Sequence, residues 1–319
     1  MSEKPQSTTV KQRLPALLIG SLVSTIVFAT FVLFQPAGTL LCLLVPFPAI
    51  LLRFSYGREL GISVVLGAAG LTALLLGNQA AYLYLGLFGV VSMLLPELLA
   101  RGLGASRSIT VTVAMNLTVA AVVAFALAQA AGVNLDQWAV TQINANYAAA
   151  VALYERLGFK GDDLAMIKQS LEITRDLFIR IYPAIAAVLL TILSGVNVAL
   201  AKRFAPRLAN PPAIDDLTTF KTPDYLVWLL ILSGFSMLPD NPLLNTSALN
   251  VLVVVCMAYL FQGVAVVLTL IERSPMTSLL RIMFYILLVL QPYMLVPVTA
   301  IGIFDLWGDF RAPRKQENL

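Results

Sequence analysis

Asn250, Tyr259, Gln262, Gln291 and Tyr293 are neutral hydrogen-bonding side chains set in strongly apolar sequence late in the chain. An amide or phenol is costly in hydrocarbon unless a partner satisfies it, so such groups mark faces that turn inward. Two chemistries are open to them. They can line a neutral cavity that holds a small solute, which makes these five the candidate substrate-binding residues. Alternatively they can bond one helix to the next, at roughly 0.6 kcal/mol each. At about 100° per residue, Gln262 is about 120° and Tyr259 about 180° around a helix from Asn250, so one narrow stripe cannot hold all three. A helix carrying them must be contacted on more than one side. Asn116, Gln129 and Asn197 extend the polar set into earlier apolar runs.

Other chemistry is removed by composition. The sequence contains no histidine, which excludes a Ser-His-Asp triad, a Cys-His pair, a histidine zinc site and a histidine proton relay. Cys42 and Cys256 lie inside apolar runs without C-x-x-C spacing, so neither a redox motif nor a disulfide framework is indicated. Both read as buried filler. No catalytic residue, metal ligand or cofactor is expected, and the chain is read as a non-enzyme. An intramembrane enzyme acting on lipid would have only Asp, Glu and Lys to work with and no motif. Glu97, directly after Pro96, is the only acid placed to enter hydrocarbon; Arg101, four residues on, suits it as a helix-end partner. Asp176 and Arg180 repeat that order and spacing, as a solvated pair or as part of a gate.

The elements that position these groups follow from hydropathy. Hydrophobic residues make up 59% of the 319 and charged residues 12%, against roughly 25% charged in soluble domains. Apolar runs near 14–34, 37–52, 60–76, 81–99, 109–131, 177–200, 225–238, 247–271 and 282–304 are candidate spans of a ~30 Å hydrocarbon core. The expected fold is all-α, a polytopic transmembrane helical bundle of eight to nine spans. Residues 1–13 form a tail, 14–311 a single transmembrane domain and 312–319 a second tail. The first run is too long for a cleavable signal peptide and is expected to stay as an anchor.

Basic residues fall in alternate connections: Lys4, Lys11 and Arg13; Arg53 and Arg58; Arg101 and Arg107; Lys202, Arg203, Arg207 and Lys221; Arg273 and Arg281. By the positive-inside rule these are cytoplasmic, as is the N-terminus. The net charge of +4 and pI of 9.1 are explained by these loops and not by a nucleic-acid face. Residues 132–176 are net acidic and read as an extracytoplasmic helical hairpin. Within it Gly158 ends one helix and Asp162 or Asp163 caps the next, which runs into the sixth span with Pro183 as the bend. The cytoplasmic connection 201–224 is rich in proline. The ninth run, interrupted by Gln291-Pro292 and Pro297, is either a kinked crossing or a broken hairpin that returns to the cytoplasm.

Small residues recur every fourth position at Ala16, Gly20 and Ser24, at Ala120, Ala124 and Ala128, and at Ala187, Thr191, Gly195 and Ala199. Such stripes let backbones approach closely, either within the bundle or against a partner's helices. Phe304, Trp307 and Phe310 recur every third residue as an interfacial anchor would, and Arg311 is placed to pair with Asp309 or Asp305.

Asn241-Pro242 with Asn245, the run from Leu249-Asn250 to Tyr259-Leu260-Phe261-Gln262-Gly263, and the closing Gly302 to Arg311 together resemble the uncharacterised YybS-like family of bacterial multi-pass membrane proteins. That family is similar, distantly, to the substrate-capturing S components of energy-coupling-factor transporters. The resemblance implies residence in the bacterial plasma (inner) membrane, a small solute bound from the outer side, and energy supplied by a separate membrane coupling partner. It also makes the Ala16, Gly20 and Ser24 face look like the surface S components present to their coupler. S components usually have six spans, and the extra segments here depart from that pattern. The competing reading is a non-transporting envelope protein that recruits partners and binds no solute. The lipid bilayer is a partner in either case; nucleic acid is not.

Overall fold

A computed structural model describes residues 10–34, 37–212, 214, 216–274, 277, 279, 280, 283, 286 and 291–312. Among them every regular element is helical. In chain order these are α1 (Val10–Leu33), α2 (Phe47–Tyr56), α3 (Arg58–Leu76), α4 (Asn78–Tyr84), α5 (Val90–Ala100), α6 (Ala105–Ala131), α7 (Leu135–Arg156), α8 (Gly161–Phe204), α9 (Leu226–Phe235), α10 (Pro242–Arg273) and α11 (Leu295–Gly308). Among the described residues six stretches are long and apolar enough to cross a membrane: Arg13–Leu33, Arg58–Leu76, Asn78–Ala100, Ala105–Ala126, Gly161–Arg207 and Pro242–Arg273. These six are helical because a helix satisfies its own backbone in hydrocarbon.

Three of the expected spans are shorter than the sequence suggests. α2 and α9 have 10 residues each and α11 has 14, about 15, 15 and 21 Å of helix, less than a ~30 Å core requires. Proline is the local cause in two of them. Pro46 and Pro48 break the second run into a 3-10 turn (Leu41–Leu44) and α2, and Pro292 holds α11 back to Leu295 behind another 3-10 turn. The stretch 282–290 of the ninth run lies largely outside the described residues.

The chain forms two compact units, residues 1–132 with 189–215, and residues 133–188 with 216–319. In the first, α1 packs on α3 and α2, α2 on α3 and α5, and α5 on α6. The core holds Phe28, Ile50, Phe54, Val64, Val65, Tyr84, Phe88 and Leu95, all essentially inaccessible. Phe28, Tyr84 and Phe88 meet edge-on at 5.4 and 5.9 Å, the arrangement that matches ring edges to ring faces. In the second unit, α10 packs on α11 and α9, with Val267, Ile271 and Val298 at the centre.

Two elements of the second unit begin at an asparagine cap. Asn241 caps α10, its side chain accepting from the N–H groups of Leu243 and Leu244, and Asn134 caps α7 in the same way through Asp136 and Gln137. α7 ends before Gly158, whose φ of +93° only glycine adopts without strain. Phe159 and Lys160 then lead into α8, which starts at Gly161, so that Asp162 and Asp163, expected as a cap, lie inside its first turn. Glu155 meets Lys168 at 3.0 Å, and Tyr147 and Tyr182 donate to Glu172 and Asp136. Arg175, not Arg180, takes Asp176, at 2.8 Å.

Candidate functional site

The five polar residues singled out in the sequence do not converge. Asn250 lies on α10 opposite the Pro183 position of α8. Pro183 has no N–H and disturbs the ladder of α8. There the Asn250 Oδ1 accepts from Ala184 N at 2.9 Å, while its Nδ2 donates to the Arg180 carbonyl at 2.7 Å and to Thr246 at 2.8 Å. One amide thus stands between the donor and acceptor that an unbroken helix would pair directly.

Gln262 faces a different neighbour. Its Oε1 accepts from Thr222 N at 2.9 Å and from the Thr222 hydroxyl, and its Nε2 donates to Asp305 Oδ2 at 2.9 Å. Asp305, 1% exposed, also accepts from Phe310 N and forms an ion pair with Arg311 at 2.8 Å. Arg311 in turn donates to the Thr218 and Phe220 carbonyls, and Arg273 to those of Arg311 and Ala312. Each buried charge is paired and hydrogen-bonded, the condition under which burial is tolerable. Tyr259 is fully buried beside this network with its hydroxyl unpartnered among the described residues. Gln291 and Tyr293 are exposed, Tyr293 at 83%.

Close backbone approach brings Gln262 and Asp305 together. A Cβ on Gly263 would overlap the carbonyl oxygen of Val298, and one on Gly302 that of Tyr259. With glycine at both points, α10 and α11 touch backbone to backbone, as small residues allow in membrane bundles.

The amides of the first unit behave alike. Asn116 on α6 donates to the Leu87 carbonyl at 3.2 Å, inside the π-helical turn Leu85–Gly89. Asn197 on α8 donates to Leu43 at 2.9 Å, in the 3-10 turn after α1, and to Leu193 at 2.8 Å. Leu87 and Leu43 lie in backbone that departs from regular α-helix, where an unmet carbonyl would be costly.

The Ala16, Gly20 and Ser24 stripe faces inward at Gly20 and Ser24, which are buried. Gly20 sits against Leu52 and Val64, where a Cβ would displace the end of the Leu52 side chain. Ser24 donates to the Val45 carbonyl at 2.8 Å and meets the Tyr84 hydroxyl at 2.9 Å. This geometry is that of helix packing within the first unit.

One arrangement in the first unit is not legible in the sequence. Glu97 meets Arg101 as its spacing suggests, at 3.3 Å, but Arg53 is closer at 3.0 Å, and Arg58 lies at 3.9 Å. Arg53 flanks the end of α2 and Arg58 opens α3, with the tight turn at Gly57 (φ +102°) between them. Three guanidinium groups therefore surround one carboxylate. Beside them opens a cavity of about 250 Å³, lined by these four residues with Ile62, Met93, Leu94, Pro96 and Leu98 among its apolar walls. The available signal was two arginines in a short connection on the side assigned to Glu97; that they reach it depends on α2 packing against α5. No group of three or more Asp, Glu or Cys side chains placed to hold a metal occurs among the described residues.

No curated protein matches this chain, and no solved structure does. The family described as "Predicted membrane protein (DUF2232)" matches residues 22–306, a stretch running from α1 to α11 and taking in the cavity, the amides and Asp305, but not Arg311. On that match the chain belongs to the DUF2232 family of membrane proteins.

Proposed function

We propose that this protein binds a small molecule within the membrane, at the cavity beside Glu97, and does so as a binding protein and not as a catalyst. The observation that carries the reading is the cavity itself: about 250 Å³, close to the ~300 Å³ at which small-molecule sites begin, with a mostly apolar surface and Arg53, Arg58, Glu97 and Arg101 among its lining residues. The amides of the second unit support it less, since Asn250 and Gln262 are spent on backbone and on Asp305. The YybS-like resemblance and the likeness to S components agree with capture of a solute in a bacterial plasma membrane and with energy from a partner. Under the positive-inside rule the cavity opens toward the cytoplasmic leaflet, since Arg53, Arg58 and Arg101 belong to basic connections.

A thermal-shift screen of small molecules on detergent-purified protein tests the proposal, because a ligand of the folded state raises the melting point. A hit whose effect is lost in Met93→Trp, which fills the cavity, supports it. Hits that survive this substitution place binding elsewhere, and a screen without hits overturns it.

A second reading has its own observation. α7, outside the membrane-length helices, has no buried residue, and Trp138 and Leu153 on it are 56% exposed. Exposed apolar groups on a solvated helix suit a partner-recruiting envelope protein. Co-purification from native membranes with and without residues 135–156 distinguishes this reading: a companion lost with α7 favours it, and no companion removes it.

A further inference from the structure

We infer that the cavity beside Glu97 takes a phosphate-bearing anion, with an anionic phospholipid of the adjoining leaflet as its source; this deepens the proposed function and rests on it. The first argument is charge. Arg53, Arg58 and Arg101 bring three positive charges to the single negative charge of Glu97, so the site holds an excess of two.

The second argument is donor accounting. Arg53 uses Nε and Nη2 on Glu97 Oε2, and Arg101 uses Nε and Nη2 on Oε1. Both carboxylate oxygens are thereby taken, while Nη1 of each guanidinium has no protein acceptor among the described residues. Arg58 stands off at 3.9 Å with its side chain 64% exposed. A guanidinium offers five N–H donors in a planar fork suited to phosphate oxygens. Glu97 thus orients two of the forks without exhausting them.

The third argument is the wall. Ile62, Met93, Leu94 and Leu98 face the same cavity, a surface that acyl chains or a glycerol backbone would cover and that a free inorganic anion would leave uncovered. Basic pockets between membrane helices on the cytoplasmic side recognise anionic headgroups by this combination of charge and apolar contact.

The test titrates the full chain in neutral detergent with dioctanoyl phosphatidylglycerol, with dioctanoyl phosphatidylcholine, and with inorganic phosphate, following the melting point. The expected result is a rise with the anionic lipid and none with the zwitterionic one, with apparent affinity falling about fivefold in Arg58→Gln, as the loss of one basic residue near an anionic head implies. Arg58 is the variant of choice because it is the most exposed of the three and folding does not hang on it. A rise with inorganic phosphate equal to that with the lipid keeps the phosphate chemistry and reassigns its source to a free anion. Equal rises with both lipids, or no change in Arg58→Gln, overturn the inference. A neutral compound that binds while neither lipid nor phosphate does overturns it too and leaves the proposed function standing.

Discussion

Asn116, Asn197 and Asn250 each reach main chain beside an irregularity of a helix. The sharpest case is Asn250, which accepts from Ala184 N and donates to the Arg180 carbonyl next to Pro183. Asn250→Leu is expected to lower stability by about 1–2 kcal/mol, the cost of unmet backbone groups in an apolar setting. The same change in a Pro183→Ala background is expected to cost less, because α8 can then close its own ladder. Melting points of the four proteins of that double-mutant cycle check the coupling, and additive losses would refute the splint. Asp305 and Arg311 make the second prediction at this scale. Arg311→Met leaves a buried carboxylate with only neutral donors and is expected to cost about 3–5 kcal/mol, while Asp305→Asn with Arg311→Met recovers much of it. Equal losses in the single and double variants would argue against a paired charge.

Helix contacts obey a rule that separates glycines by their surroundings. Gly263 and Gly302 lie where α10 and α11 touch, and a methyl group at either meets backbone oxygen, which cannot rotate away as a side chain would. Gly302→Ala is expected to destabilise by about 1–3 kcal/mol through overpacking. Gly195, on α8, has nothing within 4 Å of where its Cβ would stand, so Gly195→Ala is expected to be neutral or to stabilise by up to about 1 kcal/mol from helix propensity. Denaturation in mixed micelles reads both, and a larger loss at Gly195 than at Gly302 would reverse the assignment. Gly195 belongs to a small-residue stripe in the sequence, as does Gly20. Spacing alone cannot rank the two, because a stripe reports that close approach is possible and not that another helix has made it.

For the whole molecule the consequence concerns the way the chain ends. Arg273 closes α10, and it holds the carbonyls of Arg311 and Ala312, while Arg311 holds those of Thr218 and Phe220. Arg273 and Arg311 therefore lie at the same end of their unit, the placement that the returning form of the ninth run requires. With Cys42 and Cys256 replaced by alanine, Lys221→Cys and Ala312→Cys are expected to react with a membrane-impermeant thiol reagent from one side, and Asn144→Cys from the other. Labelling of Ala312→Cys together with Asn144→Cys would restore the full crossing.

Helical class, the membrane setting and the end of α7 at Gly158 were determined by the sequence alone, because each depends on hydropathy or on residues a few positions apart, whereas the asparagine caps at Asn134 and Asn241 were not singled out there. The Glu97 to Arg101 pair was legible for the same reason. Arg53, also on Glu97, is 44 residues away, and Thr222 and Asp305 lie 40 and 43 residues from Gln262. Polar groups in apolar runs announce that they need partners without saying which. Whether those partners are a solute, a second side chain or a broken backbone is decided by packing. Tertiary structure spent Asn250, Gln262, Asn116 and Asn197 on the protein itself and left the unfilled donors beside Glu97, where three helix ends meet at a cavity no local pattern encodes.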